Sequence, residues 1–406
     1  MSGINNQLYT SYRWVILLLM GLLTFSGNVA QFQVAAFSYQ IIPHYSLTPS
    51  QYASVLNAPM LISVFLSLIG GSLADRYGVK NVVTVALGVS ILGAFYRVYT
   101  DSYSELLVSM LLMGIFQSML GTNASKIFGL WFPKKEAGVV MGIFFFISMA
   151  GNTVGLAIST YFPSTYSAFL TAAVFITVLA ILWIVLAKNQ PRYTTPQPVL
   201  PFNHYLSVAA RSRNVWIGGL AALLFMGAGM SVLSFLPTAL NTVYGMSPAK
   251  AGLMSSLYSL GTMFGSFIGP VIIEKVGKVK PVLISFVFVG GLFSYSTFIV
   301  PVPLMWLNLF IAGLVVGGIL PNIYALPLRL KEIGPIYAGS AGGIISTLQM
   351  LGAFVIPTFV VGTIAGSNYN LVFILSGCIY LAGIPLLLLL PNINVKEQLI
   401  QKVTSV

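Results

Sequence analysis

Twelve stretches of this chain run for about twenty residues or more with scarcely a charge in them, and nothing else in the sequence limits it so tightly. Roughly 20 consecutive apolar residues cross a bilayer as a helix. Read between charges and turn residues, the runs fall at approximately 14–37, 50–73, 81–99, 104–131, 137–161, 166–188, 215–239, 249–272, 281–299, 303–328, 336–364 and 369–391. Composition excludes the alternatives. Of 406 residues 57% are hydrophobic and only 6% charged, whereas soluble domains carry about 25% charged residues. A water-facing surface cannot be built from that inventory, so a soluble enzyme, a nucleic-acid binder and a disordered chain are ruled out. The fold class expected is an all-α membrane protein with twelve transmembrane helices in two pseudo-symmetric six-helix bundles.

The net charge of +12 fits the same picture. Cytoplasmic loops of membrane proteins are enriched in Lys and Arg. With the N-terminus placed inside, the inner loops hold Arg13, Arg76, Lys80, Lys134, Lys135, Lys188, Arg192, Arg211, Arg213, Lys275, Lys278, Lys280, Arg329, Lys331, Lys396 and Lys402. Only Lys250 falls outside, and Arg97 and Lys126 fall within spans. Both termini are therefore expected in the cytoplasm, with the chain in a cell inner membrane. Arg13 precedes a run long enough to be a first span rather than a cleaved signal core. Cys378 is the single cysteine, and His44 and His204 lie far apart, so neither a disulfide framework nor a metal centre is expected.

The halves repeat. Tyr45-Ser46-Leu47-Thr48-Pro49 has a counterpart in Tyr244-Gly245-Met246-Ser247-Pro248, 199 residues on, and Asp75-Arg76-Tyr77-Gly78 matches Glu274-Lys275-Val276-Gly277 at the same offset. Gly114 and Gly313 keep that offset, as do Asn123 and Asn322; beyond them it becomes 201, pairing Ala137-Gly138, Gly142-Ile143, Met149 and Gly151 with Ala338-Gly339, Gly343-Ile344, Met350 and Gly352. The division expected is an N-terminal six-helix bundle over 1–188, a polar, Pro-containing cytoplasmic linker over 189–213 with a short surface helix near His204–Arg211, and a C-terminal bundle over 214–406. Thr48-Pro49-Ser50-Gln51 is a capping box with Pro at the first helical position, and Ser247-Pro248 opens helix eight similarly.

Gly70-Gly71-Ser72-Leu73-Ala74-Asp75-Arg76-Tyr77-Gly78-Val79-Lys80 resembles the signature loop of the major facilitator superfamily, between helices two and three, and Gly269 to Lys280 is its degenerate copy between helices eight and nine. The resemblance spans the whole chain through its twelve-span, two-bundle layout. It implies alternating access, with a solute held near the bilayer midplane between the bundles, and an inner-gate latch carried by Asp75 and Arg76, more weakly by Glu274 and Lys275. On the residues alone, Gly78 permits the tight turn and Arg76 and Lys80 anchor the inner face; a topological anchor without gating is the plainer alternative. Trp131-Phe132-Pro133-Lys134-Lys135-Glu136-Ala137-Gly138 is similar to a helix four–five junction common among anion porters, and Gly93-Ala94-Phe95-Tyr96-Arg97 to a segment of cyanate and nitrate/nitrite-type porters. The paired arginines that nitrate porters carry on helices two and eight have no counterpart. Gly151-Asn152-Thr153-Val154-Gly155 lacks the Gly-Pro core of the drug-antiporter signature.

Charges within spans are costly and usually functional. All seven acids (Asp75, Asp101, Glu105, Glu136, Glu274, Glu332 and Glu397) map to loops or helix ends. That argues against a carboxylate proton relay and against a cation site built on an acid. Arg97 is expected near the outer end of helix three, either snorkelling or paired with Asp101, or else binding solute with Tyr96 beside it. Lys126 is expected near the inner end of helix four, snorkelling or drawing anions along the pathway. Uncharged candidates for solute contact are Asn28 and Gln31, three apart on one face of helix one from which Gln33 points elsewhere, with Gln117, Asn123, Asn152, Asn322, Tyr324 and Gln349. Interhelical hydrogen bonding is the alternative for each, although amides facing lipid are costly.

Together these readings describe a secondary transporter for a small inorganic or carboxylate anion, with an apolar or zwitterionic metabolite or drug as the other cargo. Its partners are the solute and the lipid bilayer, with no nucleic acid and no cofactor, and it is expected to act as a monomer. A membrane-embedded enzyme would need a cluster of His, Asp, Glu or Cys at membrane depth, and none is legible. A non-transporting receptor would be favoured by long cytoplasmic extensions.

Overall fold

The computed structural model describes residues 11–133, 136–188 and 202–394. The α-helices among them are α1 Arg13–Ala36, α2 Ser38–His44, α3 Pro49–Tyr77, α4 Val79–Tyr96, α5 Tyr103–Trp131, α6 Ala137–Ile158, α7 Thr165–Leu186, α8 Phe202–Arg211 and α9 Arg213–Tyr244. They continue as α10 Pro248–Val276, α11 Val279–Tyr295, α12 Val302–Gly317, α13 Ile319–Tyr324, α14 Leu326–Arg329, α15 Gly334–Val355, α16 Gly362–Ala365, α17 Tyr369–Ala382 and α18 Ile384–Leu389. Among the described residues eleven helical segments are long and apolar enough to cross a membrane. The 29-residue α3 stands where the sequence places the second span.

Local chemistry sets the ends. At α3 the Gln51 carbonyl Oε1 accepts from the Thr48 backbone N–H at 2.9 Å while Thr48 Oγ1 accepts from Gln51 N–H at 3.2 Å, the reciprocal box expected from the sequence. Ser247 Oγ caps α10 through Lys250 N–H. Gly78 and Gly277 carry φ of +81° and +82°, which L side chains rarely adopt, and close the turns after α3 and α10.

Three expected spans are less regular than the apolar runs suggest. Helix ten, expected as one piece over 303–328, breaks after Gly317 and again at Ala325, because Pro321 and Pro327 supply no N–H to the ladder. Helix eleven contains a π-turn, Ile356–Val361, at Pro357. Helix twelve divides at Gly383, one residue before Ile384-Pro385. The short α2, with Pro43 inside it, is an addition beyond the first run.

The chain packs as two compact units. One takes residues up to Tyr45 and again from Ala58 to the linker region; the other takes Ser46–Asn57 and everything after the linker. Ile16, Met20, Leu23, Phe116, Phe128 and Trp183 lie in the core of the first. Phe225, Ile273, Leu283, Ile319, Ile345 and Tyr380 lie in that of the second. Phe65, Leu92, Val185 and Trp306 point outward, as an apolar solvent allows. In the first unit α1 and α6 approach closely: a Cβ on Gly151 would stand 2.9 Å from Asn28 Cβ. In the second, Tyr52 donates its hydroxyl to Ser234 O at 2.8 Å and Asn57 Nδ2 donates to Ser234 Oγ at 3.2 Å, all three side chains buried.

Candidate solute site in two helical units

The strongest feature of the first unit is a buried cation. Arg97 opens the 3-10 turn Arg97–Tyr99 that follows α4, and its side chain is 1% exposed. It does not snorkel. Its Nη1 donates to the Ala30 carbonyl on α1 and its Nη2 to Gln33 Oε1 at 3.0 Å. Gln33 in turn donates Nε2 to Ala168 O on α7 at 2.9 Å. The Phe169 ring centroid lies 4.0 Å from the guanidinium carbon, within cation–π range. Among the described residues no carboxylate pairs with Arg97. Asp101 stays exposed, and its N–H is taken by Glu105 Oε2 at 2.8 Å. A fixed positive charge shielded from water exerts a far stronger field than a solvated one.

Other candidates gather on α1 and its neighbours. Asn28 Nδ2 donates to Ser148 O at 2.8 Å and to Ser148 Oγ at 3.0 Å on α6. Gln117 of α5 packs on Gly27, where any Cβ would strike its amide. Gln31 is buried on α1, and Asn152 of α6 is half-buried with its Oδ1 inaccessible and unbonded. Tyr96 is 40% exposed while its neighbour Arg97 faces inward, so the two side chains part company. Lys126 is half-buried on α5.

The repeat-related amides share one local device. Asn123 donates Nδ2 to Met119 O four residues back at 2.9 Å, and Asn322 donates to Gly318 O four residues back at 2.7 Å. Those bonds fix which end of each amide is nitrogen. Each Oδ1 is then left buried without a donor. Asn123 also reaches Gly70 O on α3 at 3.3 Å; no matching bond links Asn322 to α10. In the second unit Tyr324, at the end of α13, donates its hydroxyl to Gln349 Oε1 on α15. These two sequence candidates are thus brought together.

At the signature loop Arg76 is exposed with its guanidinium 5.2 Å from the Tyr77 ring centroid, and Lys80 is half-buried. The side chain of Asp75 lies outside the described residues. In the copy, Glu274 and Lys275 are exposed. Burial pulls the Arg329 guanidinium below its ordinary value and the charge of Glu274 opposes that shift, so the end of α14 senses the end of α10. Most of the linker at 189–213 lies outside the described residues, as do Lys134, Lys135, Lys396 and Lys402. Among the described residues no three His, Cys, Asp or Glu side chains gather as a metal site would require.

The sequence reading set Gln33 aside as pointing elsewhere, whereas it accepts from Arg97, and it missed Ser148 and Phe169. Gln33 carried a usable signal: it lies three residues after Ala30, so the two share the helical face that meets Arg97. The places of Ser148 and Phe169 depend on which helices adjoin, which periodicity does not encode.

Long apolar helices in two units, a glycine-turned basic loop repeated in each, and polar side chains concentrated within the bundles define an integral membrane transporter rather than an enzyme. The Major Facilitator Superfamily profile matches residues 16–357, and the chain belongs to that family. It is 23% identical over 326 residues to a probable nitrate/nitrite transporter, NarK2, of Mycobacterium tuberculosis, covering 78% of this chain and 80% of that protein. It is 25% identical over 371 residues to a probable nitrate transporter, NarT, of Staphylococcus epidermidis, covering 87% and 90%. The fold is similar to the crystal structure of a bacterial homolog of the human lysosomal transporter Spinster, with a TM-score of 0.77 at 13% identity over 94% of this chain and 97% of that one.

Proposed function

We propose that this chain is a secondary active transporter moving a small anion, inorganic or carboxylate, across the cell inner membrane by alternating access, with both termini cytoplasmic. Bundles at 1–188 and 214–406 are the moving bodies and 189–213 is the tether. One observation carries the reading: Arg97 is held inside the first unit with no carboxylate partner among the described residues. An unpaired buried cation is costly, and ionisable groups within a membrane are retained chiefly for solute or ion pathways. A transiting anion supplies the missing counter-charge. The nitrate and nitrite named for the relatives above support this class of solute. Asn28, Gln31, Gln117, Asn123 and Asn152 are the polar candidates of the first unit, with Lys126 drawing anions in, and Asn322, Tyr324 and Gln349 are those of the second. Asp75, Arg76, Gly78 and Lys80, with Glu274 and Lys275, form the inner latch.

Counterflow in proteoliposomes tests it. Vesicles preloaded with unlabelled nitrite, nitrate or formate should accumulate the labelled anion, and Arg97→Gln should abolish that uptake. Accumulation that Arg97→Gln leaves intact sinks the reading.

A specific observation favours a second reading, a zwitterionic metabolite. The buried free oxygens of Asn123, Asn152 and Asn322 are acceptors, and an unmet acceptor costs about 1–3 kcal/mol. A solute bearing N–H or O–H groups answers them better than a bare anion. Counterflow with a zwitterionic amino acid, indifferent to Arg97→Gln, would select this second cargo.

A further inference from the structure

The second unit carries a recess of about 480 Å³ at the membrane end of α11, within the ~300–1,000 Å³ range of small-molecule sites. Lys278, Lys280, Pro281, Ile284, Asn392 and Asn394 line it. An excess of lysine on one side of a membrane protein explains the sign of this charge. It does not explain a built recess. Here the loop and the chain following α18 pair as antiparallel backbone at Lys278 and Asn394, Val279 N–H donates to Ile393 O at 3.2 Å, and Lys280 Nζ donates to Leu388 O at 2.9 Å. Lys280 is therefore held through its ammonium group, while Lys278 is fixed through its backbone and keeps an exposed side chain.

Position and lining specify the occupant. The recess lies where the candidate spans Val279–Phe298 and Tyr369–Leu389 begin and end, the level of lipid headgroups. Two lysines and two asparagines in the lining suit an anion with hydrogen-bond acceptors, while Pro281 and Ile284 supply an apolar wall. Basic pockets at this level suit phosphate-bearing headgroups. The repeat sharpens the point: at the 199-residue offset Lys278 and Lys280 correspond to Val79 and Asn81, so this copy of the loop carries two lysines where the first carries Lys80 alone, at the position of Val279. We propose that this recess binds the phosphodiester headgroup of an anionic phospholipid from the adjoining leaflet. The proposal rests on the membrane fold and is independent of the transported solute.

Native mass spectrometry of the full-length protein, titrated with phosphatidylglycerol or phosphatidylcholine, tests it. The wild type should bind one phosphatidylglycerol at least about tenfold more tightly than phosphatidylcholine. K278Q/K280Q should lose that preference, K278R/K280R should keep it, and Lys250→Gln, a lysine elsewhere in the chain, should not alter it. Thermal unfolding of each variant without added lipid verifies that K278Q/K280Q is folded. If K278Q/K280Q melts lower, the single changes Lys278→Gln and Lys280→Gln provide the readout, each reducing the preference in part. An unchanged preference in the folded glutamine variants overturns the proposal. So does competition by millimolar inorganic phosphate or glycerol phosphate equal to that of the lipid, which would make the site one for a soluble phosphate.

Discussion

Two turns related by the repeat, Arg97–Tyr99 and Ser296–Phe298, occupy corresponding places 199 residues apart, each a 3-10 turn ending the third helix of its half. Their side chains differ completely. Arg97 reaches α1, Met110 of α5 and Phe169 of α7. Ser296 makes neutral hydrogen bonds, its Oγ donating to Asn308 Oδ1 at 3.0 Å, while Asn308 Nδ2 donates to Phe293 O at 3.1 Å. The second half thus forms the same turn with a neutral serine in place of the arginine. Because a buried, unpaired ion costs several kcal/mol and the fold does not require it, the cation of the first half calls for a functional explanation. The repeat preserves position; it does not preserve chemistry.

Removing the charge should produce the largest effect. In Arg97→Met the gain from losing a buried cation partly offsets the lost contacts with Ala30, Gln33 and Phe169, so the protein should still fold. Apparent affinity for the transported anion should fall by about 30-fold or more, the ~2–5 kcal/mol typical of deleting a buried charged partner. Ser296→Ala should leave transport within twofold. Measured uptake that falls equally in both variants would erase the asymmetry between the halves.

The crossings of helices two with four and eight with ten provide the next test. Gly70 and Gly269 are repeat-related, yet a Cβ on Gly70 would meet the flexible end of Met119, with Sδ at 3.1 Å, whereas one on Gly269 would meet Gly318 Cα at 2.5 Å. A thioether can rotate aside; backbone cannot. Gly269→Ala should therefore destabilise the protein by about 1–3 kcal/mol, the usual range for overpacking, and Gly70→Ala by less than about 1 kcal/mol. Unfolding in mixed detergent micelles would rank them, and equal losses would show that the second crossing is not the tighter one.

These contrasts also mark what the sequence could disclose. The spans were legible because a continuous apolar run of bilayer length has few alternatives, and their starts because Thr48–Gln51 and Ser247 bear their capping chemistry locally. The need for positive φ at Gly78 and Gly277 was legible from the turn and its copy. The breaks in helix ten were less so, since apolarity runs unbroken across Gly317, Gly318 and Pro321 and conceals a change of direction. Of the candidate site, residue types were legible but partners were not. Nothing in a one-dimensional pattern seats Gln33 and Phe169 around Arg97, Ser148 against Asn28, or Tyr324 on Gln349. Those pairings follow from helix neighbours, which are fixed only when the bundle closes.

The smallest effect belongs to the carboxylates that hold the first helix of each half. In the first unit Glu136 pairs with Arg13 at the start of α1, N to O at 3.2 Å. In the second, Glu332 Oε1 accepts from Asn214 Nδ2 at 2.8 Å and from Ser212 Oγ at 3.2 Å at the start of α9. The first link is an ion pair at a half-exposed site, so raising salt to about 1 M, where the Debye length is near 3 Å, should weaken it. The second is a set of hydrogen bonds to one charge and should resist salt. It should instead respond to pH. Partial burial pushes the Glu332 carboxyl upward, but hydrogen bonds from Asn214, Ser212 and its own backbone outweigh that and hold it below the usual carboxylate range. A depressed folded value means stability that is present above the unfolded value, near 4.3, and lost as pH falls through the folded one. Glu332→Gln should flatten that acid limb slightly, by less than about 1 kcal/mol, while leaving the salt dependence to Glu136→Gln. Melting curves between pH 7 and pH 3.5 at low and high salt would separate the two, and a salt response that follows Glu332 instead would invert the comparison.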